Sequence, residues 1–192
     1  MKKAGLTGGI GSGKTVVAGI FKSLSIPIYN SDERAKALYF AEHVRVPVEL
    51  LLGKETYLSE SELNKVHISS KIFSDKKLLT ALNAIIHPAV GADFEHWLKK
   101  QNAAFIIKES ALMFEAGIYK NMDALITVTA DLEIRISRVM KRDKLDREQV
   151  LARMSSQFPD AEKQKLSDYL VNNNDDELVI PQVLKIYDEL RK

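Results

Sequence analysis

The 192-residue chain is long enough for one compact domain that carries inserted segments. Its hydrophobic share of 45% and charged share of 28% are those of an ordinary globular protein and argue against wholesale disorder. The net charge of +2 is too small to indicate nucleic acid as the main partner, and the lack of cysteine excludes disulfides and thiolate chemistry.

The amino-terminal residues are basic but lead into a Gly/Ser/Thr stretch instead of an apolar segment, so they do not resemble a signal peptide. No apolar run approaches the length of a membrane span. We therefore expect a cytoplasmic protein without a membrane or nucleic-acid partner. The sequence does not indicate its oligomeric state.

Residues 3–7 predict a buried strand, and residues 8–15 that follow it fit the phosphate-loop pattern G-x-x-x-x-G-K-[ST]. Glycines let successive backbone N–H groups turn inward, and the start of the next helix adds a partial positive charge. Lys14 can reach the β- and γ-phosphates, and the Thr15 hydroxyl can bind Mg²⁺. The predicted nucleotide-binding residues are Gly9, Gly11, Ser12, Gly13, Lys14, Thr15 and Val16.

Residues 26–29 predict a second strand, which is followed by Asn30, Ser31 and Asp32. Ligands of parallel α/β sheets bind at the carboxyl ends of the strands, so Asp32 is a plausible base that accepts the proton of an acceptor hydroxyl. The same three residues are also typical of a helix N-cap. The spacing alone does not decide between the two interpretations.

Residues 33–101 predict a helical insertion between the second and third strands, with the clearest helical patterns at 78–86 and 94–100. A substrate lobe fits this position. His87 follows the first pattern, and we expect it to cap or pack a helix end. Phe94, Trp97 and Leu98 predict one buried helix face.

Residues 105–109 predict the third strand, which ends in Glu109, and residues 125–129 predict the fourth. A carboxylate at the end of an apolar strand can hold Mg²⁺ through water, which makes Glu109 a candidate metal ligand. The alternative is a solvent-exposed acid at a strand end.

The predicted helix 132–141 and its continuation carry several arginines. Arg138, Arg142 and Arg147 could converge on transferring phosphates, where guanidinium groups stabilise spread negative charge. Alternatively, they belong to a solvated face and pair with acids such as Glu133 and Asp143. Taken as a group, the arginines favour the functional interpretation.

Residues 143–166 are polar and basic and predict a mobile flap, in which Pro159 breaks or starts a helix. A strand at 169–171 and a helix at 179–190 complete the pattern. Strands that alternate with helices are typical of an α/β fold with a parallel sheet.

These residues carry a family resemblance. The stretch 6–14 is similar to the Leu-Thr-Gly-Gly-Ile-Gly-Ser-Gly-Lys loop of bacterial dephospho-CoA kinases, and 30–32 stands at the Asp-x-Asp of that family. Residues 82–88 resemble its Leu-Asn-x-hydrophobic-hydrophobic-His-Pro motif, and 112–115 resemble its Leu-Leu-Phe-Glu. The agreement with the family continues in chain order through Arg138, Arg142 and Arg147 to residues 168–173.

The resemblance implies ATP-dependent phosphorylation of the ribose 3′-hydroxyl of dephospho-CoA, with Mg²⁺ as cofactor. It implies that the catalytic residues are Asp32, Lys14, Arg142 and Arg147. It implies that the acceptor is bound by Asp32, Lys36, His87 and Glu115. The implied magnesium ligands are Thr15 and Glu109.

The family fold is a three-layer P-loop NTPase core around a five-stranded parallel sheet, with a helical CoA domain and a lid. Applied to this chain, the core comprises 1–32, 102–142 and 167–192, the CoA domain 33–101 and the lid 143–166. The chain departs from the family at Asn30, which replaces the first acid of Asp-x-Asp, and at Lys36, which replaces an arginine.

Two other functions remain open at this point. The chain could be another phosphate-loop kinase that acts on a nucleoside monophosphate, or a nucleotide-binding regulatory module that has lost catalysis. The presence of Lys14, Thr15 and Asp32 argues against the regulatory module. Competition between acceptors would separate the two kinases.

Overall fold

The computed structural model describes the backbone of residues 1–192 and all side chains except that of Ser74. The chain forms two compact units. The first contains Met1–Asn30 and Asn102–Lys192, and the second is the insertion Ser31–Gln101.

The first unit is built on a five-stranded sheet whose neighbouring strands all run parallel. The strands are β1 (Lys2–Gly8), β2 (Ile28–Asn30), β3 (Phe105–Glu109), β4 (Ala124–Thr129) and β5 (Tyr169–Asn172). Their spatial order is β2-β3-β1-β4-β5. Because β1 lies at the centre, the residues that follow it are flanked by the carboxyl ends of β3 and β4. This is the position at which parallel α/β sheets bind ligands.

The α-helices are α1 (Lys14–Ser23), α2 (Ser31–Leu38), α3 (Glu42–Leu52), α4 (Lys65–Ser74), α5 (Lys76–Leu98), α6 (Leu132–Asp143), α7 (Arg147–Ser155), α8 (Asp160–Lys165) and α9 (Val179–Leu190). Short 3-10 helices occur at Lys54–Thr56 and Ile118–Asn121. Among the described residues, no helix is long and apolar enough to cross a membrane.

The apolar core of the first unit lies where α1 and α9 pack on the sheet. Phe105 of β3 is completely buried and makes edge-to-face contacts with Phe21 of α1 and Tyr187 of α9, at ring-centroid distances of 6.2 and 6.0 Å. Strands that are covered by helices read as continuous apolar runs, which is why these segments could be predicted from the sequence.

The structure corrects the prediction of two separate helices at 78–86 and 94–100. A single helix, α5, runs through both, with Pro88 inside it. Asp75 caps its start by accepting hydrogen bonds from the Lys77 and Leu78 backbone N–H groups, at 2.7 and 3.2 Å. His87 therefore lies on an exposed face in mid-helix and does not cap a helix end.

Packing explains why α5 continues through the proline. An interior proline removes a hydrogen bond and costs about 3 kcal/mol in an isolated helix. The buried residues of α5 recur every four positions, at Leu82, Ile86, Val90 and Phe94. The helix packs against α2, α3 and α4, so tertiary burial outweighs the local cost. Phe94 is buried as predicted, whereas Trp97 and Leu98 are only partly covered.

The other predicted elements agree with the structure to within a few residues. The second strand begins two residues later than predicted, at Ile28, and Pro159 immediately precedes the first residue of α8. The predicted division of the chain into a core, a CoA domain and a lid assigns a function to each segment, and this division stays a prediction.

Candidate phosphate-binding site

The loop between β1 and α1 adopts a backbone conformation that requires glycine. Gly11 and Gly13 have φ angles of +80° and +95°, in the left-handed region where other residues are strained. A Cβ atom on Gly13 would collide with the side-chain amide of Asn173, and one on Gly11 would lie 2.6 Å from the Arg135 carbonyl oxygen. The close approach of α6 and of the segment after β5 therefore depends on these two glycines.

Three side chains from outside the loop hold it in place. The Ile10 N–H donates to Gln157 Oε1 at 2.8 Å, and Arg135 Nε donates to the Ile10 carbonyl oxygen at 3.0 Å. On the other side, Asn173 Nδ2 donates to the Ser12 carbonyl oxygen at 2.7 Å. The loop is thus fixed before any ligand arrives, which lowers the entropic cost of binding.

The start of α1 gives the loop its charge. Lys14 is the first residue of the helix, and its Nζ donates to the Gly8 carbonyl oxygen at 2.9 Å. Thr15 and Val16 are exposed in the same first turn. Among the described side chains, the Ser12 hydroxyl oxygen is buried without a hydrogen-bond partner. A helix N-terminus with a lysine and inward-curling glycines is a phosphate-binding arrangement.

Glu109 lies at the carboxyl edge of the sheet beside the strand that carries the loop. In the strand register it pairs with Leu6 of β1 and Asn30 of β2, and Asn30 Nδ2 donates to Glu109 Oε2 at 3.3 Å. Glu109 is only 7% exposed, so it is not the solvent-exposed acid that the alternative interpretation required.

The site offers hard oxygen donors that suit Mg²⁺, namely the Thr15 hydroxyl and the Glu109 carboxylate. Across the side chains that the structure describes, no cluster of three or more acidic, histidine or cysteine residues could hold a metal. Mg²⁺ in kinases is held by one or two protein oxygens together with substrate phosphates, so the two donors fit this cofactor.

Asp32, Lys36 and His87 belong to the second compact unit. Asp32 and Lys36 are exposed and lie four residues apart on α2, so they share one face of that helix. Asp32 stands in the first turn, where a negative charge complements the helix dipole. His87 is exposed in the middle of α5.

Arg142 and Arg147 are each paired with a carboxylate in this structure. Arg142 Nε and Nη2 donate to the two carboxylate oxygens of Asp143 at 2.7 and 2.9 Å. Arg147 Nη1 and Nη2 donate to Glu133 at 2.7 and 2.6 Å. The two arginine side chains are 62% and 50% exposed, and exposed ion pairs contribute little to stability because solvent screens them. Such pairs can exchange their carboxylate for a phosphate at little cost.

Glu115 anchors the segment 143–166. One carboxylate oxygen accepts a hydrogen bond from the Phe158 N–H at 2.7 Å, and the Phe158 ring stacks on Phe114 at a centroid distance of 5.4 Å. The predicted role of Glu115 in acceptor binding stays a prediction.

Arg135 is a site residue that the sequence interpretation missed. The sequence showed it only as one of several arginines on the predicted helix 132–141, yet it is only 6% exposed and contacts the phosphate loop. Helical periodicity carried a usable signal: Arg135 lies four residues before the buried Val139 and next to the buried Ile136, on the core-facing side of α6.

The sheet order and the loop between its central strand and α1 define the class of the protein, a phosphate-loop nucleotide-binding protein. A family model described as dephospho-CoA kinase matches residues 3–178. The chain is 38% identical to the dephospho-CoA kinase of Porphyromonas gingivalis over 191 residues, which is 97% of this chain and 93% of that relative.

Solved structures agree with this assignment. A crystal structure of a Thermus thermophilus protein superposes with a TM-score of 0.88 at 31% identity, covering 98% of this chain and 96% of that one. The dephospho-CoA kinase from Campylobacter jejuni superposes with a TM-score of 0.71 at 25% identity, with the same coverage. The chain belongs to the dephospho-CoA kinase family.

The Arg147–Glu133 pair generates a pH prediction. The hydrogen bonds from Arg147 hold the pKa of Glu133 below its usual range. The stability that this pair contributes is therefore present above the ordinary glutamate pKa and is lost as the pH falls through the lowered value. Arg147→Ala should raise the pKa of Glu133 towards normal in an NMR titration of side-chain carboxyl carbons.

Arg153→Ala is the matched control for this titration, because Arg153 contacts Asp143 at 3.4 Å and not Glu133. An Arg147→Ala variant in which Glu133 titrates as in the wild type would contradict the pairing in solution.

Proposed function

We propose that this protein transfers the γ-phosphoryl group of ATP to the ribose 3′-hydroxyl of dephospho-CoA, which gives coenzyme A and ADP. The observation that carries the proposal is the preformed phosphate loop, held by Arg135, Gln157 and Asn173, in a chain that belongs to the dephospho-CoA kinase family. In the reaction the 3′-oxygen bonds to the γ-phosphorus, and the bond between that phosphorus and the β,γ-bridging oxygen breaks.

The proposed donor site is the loop and the first turn of α1. The backbone at Gly9, Gly11 and Gly13 would surround the phosphates, and Lys14 would exchange its contact with the Gly8 carbonyl for a phosphate oxygen. Thr15 and Glu109 would hold Mg²⁺, which when bound neutralises charge on the phosphates.

Asp32 is the proposed base, which accepts the proton of the 3′-hydroxyl as the new bond forms. Asn30 stands where the family resemblance places another acid, and its amide donates to Glu109 instead of competing for the proton. Asp32 alone is sufficient for proton removal, because the transfer of one phosphoryl group releases one proton from the 3′-hydroxyl.

The acceptor-binding residues are proposed to be Lys36, His87 and Glu115, together with Asp32. Lys36 follows Asp32 by one helical turn on the same exposed face of α2, so a cation and the base are presented together. A diphosphate-containing acceptor such as dephospho-CoA suits a positively charged side chain beside the proton acceptor.

Arg142 and Arg147 are proposed to contact the transferring phosphates when the lid, residues 143–166, closes. Their present partners are Asp143, which is partly covered, and Glu133, which is exposed, and a phosphate carries more negative charge than either. Closure would also exclude water from the reacting groups. We propose a cytoplasmic location, where ATP and Mg²⁺ are available.

Replacing Lys14 and Asp32 should separate donor binding from proton removal. Asp32→Asn should lower kcat by roughly 10²–10⁴ and leave ATP affinity nearly unchanged, because general-base catalysis acts on the chemical step. Lys14→Ala should lower kcat by roughly 10²–10³ through loss of transition-state stabilisation. Steady-state kinetics and ATP titration calorimetry measure both effects.

The matched control for Lys14→Ala is Lys22→Ala, which removes an exposed lysine at the other end of α1. An Asp32→Asn enzyme that loses ATP binding as much as turnover would show that Asp32 is structural. Wild-type turnover in Lys14→Ala would refute its proposed role.

Lid closure is testable by limited proteolysis. Without ligand, the lid should be cleaved faster than it is in the presence of a nonhydrolysable ATP analogue with Mg²⁺, because new phosphate contacts would order its arginines. The cleavage sites are identified by mass spectrometry, and cleavage outside 143–166 provides the internal control. Equal rates within the lid in both conditions would argue against closure.

A further inference from the structure

Lys163 is a buried cation to which the proposed mechanism gives no role. It lies in α8, its side chain is completely buried, and its Nζ is one of the described buried polar atoms without a hydrogen-bond partner. Its ion pair is with Asp160 Oδ1, at the long distance of 3.6 Å. Buried lysines are rare, because removing an ammonium group from water is costly without close partners.

Asp160 is shared with a second buried cation. Its other carboxylate oxygen accepts a hydrogen bond from Arg135 Nη1, while Arg135 Nε donates to the Ile10 carbonyl oxygen. The cluster of Arg135, Asp160 and Lys163 thus connects α8 to the phosphate loop through direct polar contacts.

This cluster lies directly against Gly9. A Cβ atom placed on Gly9 would collide with Arg135 Nη2 and would lie 2.9 Å from Asp160 Oδ1. Arg135 and Asp160 therefore occupy the space behind the loop backbone, and Lys163 reaches this group through Asp160.

The charges within the cluster do not balance. Two cationic side chains share one carboxylate, and Lys163 has the poorer geometry of the two. A buried charge that is imperfectly paired destabilises a fold, and an apolar residue of similar volume is often neutral or stabilising in its place. The folded chain alone therefore gains little from a lysine at this position.

We propose that Lys163 is a positioning residue for the nucleotide: with Arg135 and Asp160 it forms a cluster of excess positive charge behind Gly9, and the polyphosphate on the loop supplies the missing negative charge. The inference rests on the nucleotide site of the proposed function. Lys163 acts through the loop and through Arg135. Because Lys163 belongs to α8, binding of phosphate also favours the packed position of this part of the lid.

The test compares stability without ligand and affinity for ATP in the same variants. Lys163→Met keeps the volume of the side chain and removes its charge. We expect a higher Tm without nucleotide, because a poorly paired buried charge is gone. We also expect the Kd for ATP, measured by calorimetry, to rise about tenfold, because a nearby positive charge in a weakly screened environment is lost. Lys165→Met is the matched control, because Lys165 is exposed on the same helix and pairs with Glu162.

Asp160→Asn changes the cluster in the opposite sense. It leaves two cations without a carboxylate, so Tm without nucleotide should fall while ATP affinity rises. The proposal predicts that Tm without nucleotide and ATP affinity change in opposite directions within each variant, and in opposite directions between Lys163→Met and Asp160→Asn. A merely structural role would lower both Tm and ATP affinity in both variants.

Unchanged ATP affinity or a lowered Tm in Lys163→Met would overturn the inference. The proposed function would stand in that case, as long as the wild-type protein binds ATP. If Lys163→Met does not fold, Asp160→Asn decides: weaker ATP binding in that variant overturns the inference. A wild-type chain that does not bind ATP would refute the proposed function, and the inference with it.

Discussion

The structure depends on the close contact between the phosphate loop and the elements that surround it. Gly11 and Gly13 bring the loop backbone against α6 and Asn173 at distances that a Cβ atom would prevent. Gln157 and Arg135 then hold the backbone of Ile10 at both its N–H and its carbonyl oxygen. Because β1 is the central strand, this contact joins the sheet, α1, α6 and the segment between α7 and α8 in one place.

This arrangement assigns different tasks to different parts of the chain. The buried contacts around the loop are fixed, whereas the exposed Arg142 and Arg147 are held by ion pairs with Asp143 and Glu133. A loop that is already fixed lowers the entropic cost of binding a ligand. Weakly held arginines can change partners when a ligand arrives.

The sequence predicted the sheet, the loop and its function well, because buried parallel strands and glycine-rich phosphate loops are local patterns. It failed at α5, where it predicted two helices, because packing on α2, α3 and α4 lets a single helix continue through Pro88. It also missed Arg135 and Lys163, because an arginine or lysine is exposed by default and only tertiary contacts show that it is buried. The roles of Asp32, Arg142 and Arg147 remain predictions, which the residue pattern left open and the family resemblance favours.

The most direct test of the account is ADP release by the purified protein with Mg-ATP, measured with dephospho-CoA, with AMP and without acceptor. The account predicts strong stimulation by dephospho-CoA alone, with a product phosphorylated at the ribose 3′-oxygen. Stimulation by AMP would instead identify a nucleoside monophosphate kinase, and no stimulation by any acceptor would contradict catalysis altogether.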